Sequence, residues 1–175
     1  MDYFLLKQDQ RYTNTPNLMD VFNKIDVRNI NLLKSHKIEN IMIFNVKCDE
    51  GTQFLDVLDR RLFLISEKMK EIIEKYNEEI IFKIIPLIDS YSERQENYYL
   101  PIFEEVDALS ENAELNLDKT VVKKIILDKE KIQGKKIFKI KGSSKPLIVV
   151  RLDIAESLLR RGFKGISLEM LDIED

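Results

Sequence analysis

Two spacings of apolar residues recur along this chain, and the clearer example starts at Arg61. Leu62-Phe-Leu-Ile65 is an unbroken apolar run that predicts a buried strand, and Ser66 behind it is a helix N-cap with Glu67 suited to the positive end of the dipole. Met69, Ile72, Ile73, Tyr76 and Ile80 then fall three or four apart and draw one apolar stripe, while Lys68, Lys70, Glu71, Glu74 and Lys75 fill the opposite face. Glu71 and Lys75 are placed as a supporting pair. Asn77-Glu-Glu79 ends this helix. Ile80 to Ile88 is rich in β-branched residues and predicts a strand, with Pro86 assigning its far end to a sheet edge or a strand terminus.

The same plan closes the chain. Leu147-Ile-Val-Val150 reads as a strand, and Asp153 with Glu156 three residues on resembles a capping box opening a helix. Ile154, Ala155, Leu158 and Leu159 form its apolar face, Arg160 and Arg161 suit its C-terminal end, and Gly162 is placed as the left-handed cap. Gly165 opens Ile166 to Leu171, which alternates as a half-buried strand does. A shift of eighty-six or eighty-seven positions superposes the two units in pattern, though hardly in identity. Asn97 to Leu100, Thr120 to Leu127 and Lys136 to Ile140 are further strand candidates, with Gln133-Gly134 as a turn, lysines protecting edge strands, and Asp89 to Asn97 as an exposed hairpin tip. The first sixty residues predict only short elements, including apolar runs Tyr3 to Leu6 and Ile41 to Val46. The expected fold class is α+β: a mixed sheet with two similar strand-helix-strand units packed on one core, in a single domain over residues 1–175.

Composition narrows the function classes. The 175 residues carry 28 Lys and Arg against 31 Asp and Glu, a formal charge of −3, and 44% are apolar. Charges of both signs are interspersed, so the basic surface that nucleic-acid binding needs is missing. The most apolar stretch, Ile80 to Ile88, falls far short of the ~20 residues that cross a bilayer, and Met1 to Lys7 lacks the pattern of a secretory leader. Cys48 is the only cysteine, which rules out an internal disulfide or a multi-cysteine zinc site. These features predict a cytoplasmic protein with neither nucleic acid nor membrane as partner.

Candidate chemistry is sparse. His36 has no second imidazole near it and no Gly-x-Ser-x-Gly elbow accompanies it, so it reads as a surface residue. Lys141-Gly-Ser-Ser-Lys-Pro146 has some look of a phosphate loop, but it lacks the first glycine and the Gly-Lys-Ser/Thr ending and reads as a turn. Five glycines at 51, 134, 142, 162 and 165 leave no dinucleotide fingerprint. Glu104, Glu105 and Asp107 form an acid cluster that could serve acid-base chemistry or magnesium. The reading preferred here is recognition, with Tyr98 and Tyr99 as interface aromatics and the acids steering a basic partner. No catalytic, cofactor or metal residue is assigned.

The region from about Arg61 to Leu171 resembles a bacterial family, formerly a domain of unknown function, that gene neighbourhoods assign to the immunity proteins of polymorphic toxin systems. Phe63-Leu-Ile-Ser66 with Met69, Ile72 and Ile73, Tyr98-Tyr-Leu100, Val106-Asp-Ala-Leu109, Ile126-Leu-Asp128, Lys136-Ile-Phe138, Ile148-Val-Val150 and Leu158 to Ile166 carry the likeness. The chain departs from that pattern at Arg151-Leu-Asp, where the family usually places a serine, and at Lys139, where arginine is common. The resemblance implies a cytoplasmic, non-catalytic protein that binds and neutralises a cognate toxin, with no enzymatic residue to carry over. Two other expectations stand beside it: an enzyme of unrecognised class using the acid cluster, and a structural or regulatory module that pairs with itself.

Overall fold

A computed structural model describes every residue from Met1 to Asp175. The chain is α+β with strand predominating, 36% against 15% helix, so the helices are inserts between sheets. In order come β1 (Tyr3–Gln8), β2 (Asn17–Leu18), α1 (Val21–Lys24), two short 3-10 turns, β3 (Phe44–Lys47), β4 (Val57–Leu58), β5 (Leu64–Ser66), α2 (Glu67–Ile73), β6 (Ile81–Asp89) and β7 (Arg94–Ile102). There follow β8 (Glu105–Val106), β9 (Glu114–Leu115), β10 (Val122–Lys124), β11 (Ile126–Asp128), β12 (Ile137–Ile140), β13 (Ile148–Arg151), α3 (Leu152–Arg160), β14 (Ile166–Met170) and β15 (Asp172–Glu174). A six-stranded sheet runs β2-β3-β6-β7-β5-β4 and a five-stranded sheet runs β14-β1-β13-β12-β8.

Each strand-helix-strand unit belongs to its own sheet, and the two are built alike. β5 and β6 both run antiparallel to β7, and are therefore parallel to each other with β7 between them. β13 and β14 stand in the same relation to β1. β4 flanks β5 as β12 flanks β13, with Val57 opposite Ile65 and Ile137 opposite Val150. The equivalence is permuted in sequence: the middle strand follows its unit in one sheet and precedes it by most of the chain in the other. It extends to side chains. Tyr98 donates its hydroxyl to the Leu55 carbonyl at 2.6 Å, two residues before Val57, and Tyr3 donates to the Lys135 carbonyl at 2.7 Å, two residues before Ile137.

Strand alternation divides the core into three layers. Val57, Ile65, Met69 and Ile73 meet their counterparts Ile137, Val150, Ile154 and Leu158 in a central cluster shared by both large sheets and by α2 and α3. The outer face of the six-stranded sheet, with Leu64, Ile85, Leu87 and Leu100, is covered by residues 18–55. The outer face of the other sheet, with Leu5, Phe138 and Val149, is covered by residues 106–132 and Leu171. Gly165 sits at the seam with φ +74°, and a β-carbon there would lie 2.6–2.8 Å from the Leu55 side chain. Across this seam Asp56 and Lys164 exchange bonds: Asp56 N–H to the Lys164 carbonyl, and Lys164 N–H to Asp56 Oδ2.

Several local expectations are revised. Helix α2 starts where Ser66 predicts, with the Ser66 hydroxyl accepting from Met69 N–H, but it ends at Ile73, and the supporting pair is Lys70 with Glu74 rather than Glu71 with Lys75. Tyr76 and Ile80 still pack on the central cluster from the loop that follows. Helix α3 begins two residues earlier than expected: Arg151, not Asp153, occupies the N-cap, without a side-chain cap bond, and Asp153 lies in the first turn, held by Arg151 through two bonds of 2.9 and 2.7 Å. Leu159 is exposed. Pro86 lies inside a strand that has neighbours on both sides. Ile84 N–H reaches toward β3, to Asn40, so by alternation the Pro86 nitrogen faces the same way. The parallel pairing is broken opposite it, resuming between Phe44 and Leu87 after an isolated bridge from Ile41 to Ile84. The hairpin tip after β6 shrinks to residues 90–93 because both strands run into it.

Candidate functional site

The residues singled out for recognition do not form one surface. Tyr98 and Tyr99 are neighbours on β7 and so face opposite sides of its sheet. Tyr98 is 3% exposed in the outer layer, and burial pushes its phenol well above the ordinary value. No partner could reach it. Tyr99 lies on the helix side, half-buried, under the Lys70 ammonium and within 3.4 Å of Glu67. Glu104 is bonded to Lys135 at 2.5 Å and Glu105 to Lys139 at 2.8 Å, while Asp107 is exposed. With each glutamate in its own ion pair, the cluster offers little unbalanced negative charge to steer a basic partner. His36 is exposed in a 3-10 turn. Cys48 is half-buried, and burial, with Asp89 nearby, pushes its thiol up and away from the reactive thiolate.

Two features of the structure were not marked in the sequence. The first is an apolar area on the helix side of the six-stranded sheet. Helix α2 packs across β5 and β7, and the sheet extends past it through β6 and β3 to β2. Phe44 and Val46 point into the outer core, so Ile41, Ile43 and Asn45 point the other way. Ile41 pairs with Ile84, Asn45 with Ile88, and Met19 N–H bonds the Asn45 carbonyl, which brings Met19 to the same face. Ile41 is 56% exposed, Ile43 50% and Met19 40%.

The second is a cleft of about 400 Å³ where the two sheets meet. Phe63 just before β5, Pro101 near the end of β7 with Phe103 just beyond it, and Ile148 at the start of β13 give it an apolar floor. The 3-10 turn at Val27–Asn29 and the β12–β13 hairpin form its walls and bring Arg28, Ser143 and Ser144 to it, with Arg61 beside the floor. Gly142, at φ +86°, turns that hairpin. The segment with some look of a phosphate loop is thus a turn, as its sequence predicts, and it borders a cleft. Glu105 and Lys139 line the cleft as an internally neutral pair. Arg28 holds the Asp26 carboxyl down at about 2 through bidentate hydrogen bonding.

No helix of the chain is long and apolar enough to cross a membrane, and no group of three or more His, Cys, Asp or Glu side chains is arranged to hold a metal ion. No family model matches the sequence, and no curated protein matches it either.

Proposed function

We propose that this is a non-catalytic binding protein that occludes a cognate bacterial toxin domain, as the resemblance over residues 61–171 implies. The observation that carries the reading is the uncovered apolar sheet face. Met19, Ile41 and Ile43 cluster on one side of β2 and β3, where burial against water-excluding protein surface stabilises by roughly 25 cal/mol per Å². Glu104 and Glu105 pair with separate lysines and Asp107 is exposed, so the cluster does not present paired carboxylates in one pocket, which favours recognition over acid-base catalysis. The partner surface expected here is apolar, in place of the basic one that the acid cluster suggested.

Calorimetry with the toxin domain encoded beside this chain tests the proposal. Tight binding is expected, and replacing both Ile41 and Ile43 by Asp is expected to weaken it at least ~tenfold while leaving the circular dichroism spectrum unchanged. Absence of binding by the parent protein overturns the reading. A concentration-dependent dimer that the same double substitution dissolves would assign the face to self-association instead.

A further inference from the structure

We propose that the cleft between the two sheets binds a small amphipathic organic anion: an aromatic or aliphatic body carrying one carboxylate or phosphate group. This goes beyond the toxin-binding reading and does not depend on it. Arginine pairing singles out one side chain. Of the eight arginines, seven have a partner within the molecule: Arg11 with Asp9, Arg28 with Asp26, Arg94 with Glu96, Arg151 with Asp153, Arg160 with Glu156, and Arg60 and Arg161 with the Thr13 and Ser157 carbonyls. Arg61 alone makes neither an ion pair nor a hydrogen bond, and it lines the cleft.

The cleft's charges otherwise cancel. Lys139 is balanced by Glu105 and Arg28 by Asp26, which leaves the Arg61 guanidinium as one uncompensated positive charge. The Ser143 and Ser144 hydroxyls, on the opposite hairpin, also lack a side-chain hydrogen bond and add donors. One free guanidinium with hydroxyl donors beside an apolar floor matches an anionic head on an apolar body, because a guanidinium recognises carboxylate and phosphate through paired N–H groups. A volume of about 400 Å³ lies within the range of small-molecule sites.

The test uses 2-naphthoate and its neutral isostere 2-naphthamide, titrated into the full chain and followed by amide chemical shifts. Naphthoate is expected to shift the amides of Arg61, Phe63, Ser143 and Ile148, and naphthamide to bind at least ~tenfold more weakly. Arg61→Gln is expected to bring naphthoate down to the affinity of naphthamide and to leave naphthamide unchanged. Since Arg61 is exposed, the substitution keeps the fold. Equal binding of the two probes, no binding of either at millimolar concentration, shifts confined to other parts of the molecule, or an unaltered naphthoate affinity in Arg61→Gln each overturns the proposal. The same variant is expected to bind the toxin domain as the parent does, which keeps failure of this inference distinct from failure of the proposed function.

Discussion

Gly165 shows how much one residue can hold at the seam. Its φ of +74° costs a side-chain-bearing residue about 1–2 kcal/mol, and an added methyl would also press into Leu55 at 2.6–2.8 Å. Gly165→Ala is expected to destabilise the protein by about 3 kcal/mol in denaturant unfolding. Gly134, with a similar φ and nothing within 4 Å of the added carbon, is the matched control and is expected to cost about 1 kcal/mol. The paired tyrosines make a second prediction. Tyr98→Phe and Tyr3→Phe each remove one hydroxyl-to-carbonyl bond at equivalent positions and are expected to cost about 1 kcal/mol apiece. Burial raises both phenol values above the ordinary one of 10.0. A neutral acid whose folded value is raised stabilises fully below the unfolded value, and that contribution is lost as pH climbs past it. From about pH 9 to pH 11, Tyr98→Phe is therefore expected to lose less stability than the parent, measured by denaturant midpoints at each pH.

Among the elements, helices α2 and α3 differ in how they start. The Ser66 hydroxyl both caps α2 and donates to Asp56 Oδ1 at 2.6 Å, so Ser66→Ala removes a cap and a tie to the seam; a loss of about 1–2 kcal/mol is expected from thermal unfolding. The same hydroxyl explains why α2 was legible in the sequence: the cap and the apolar spacing act within a few residues. The start of α3 was less so, because Asp153 answers to Arg151 two residues earlier and not to a cap position. Both units were visible as strand, helix and strand for the same local reason. Their equivalence as sheets was not, since β7 joins its unit within residues 64–102 while β1 reaches its unit only through pairings that span the chain. The opposite facings of Tyr98 and Tyr99 follow from strand alternation and were readable in principle. The cleft was not, because Arg28, Arg61 and Ser143 come from three distant segments and share no spacing.

At the scale of the molecule, the five-stranded sheet depends on β1, which lies between β13 and β14 and supplies Leu6 to the central layer and Tyr3 and Leu5 to the outer one. A chain beginning at Asp9 is expected to lose hydrogen-exchange protection at Ile148–Arg151 and Ile166–Met170 while keeping more of it in β6 and β7. A synthetic peptide of residues 1–8 is expected to restore it; uniform protection in the shortened chain would refute this division of stability. During synthesis the arrangement sets an order of events. Residues 57–102 contain the pairings β4 to β5, β5 to β7 and β6 to β7, and can close while the ribosome is still extending the chain. Tyr3–Gln8 leave the exit tunnel long before either of their neighbours exists, carrying an apolar edge that must wait for the last strands to be translated. Slowing translation through residues 103–147 should therefore lengthen the time this edge stays uncovered and raise the demand for chaperones, with no change in the folded product.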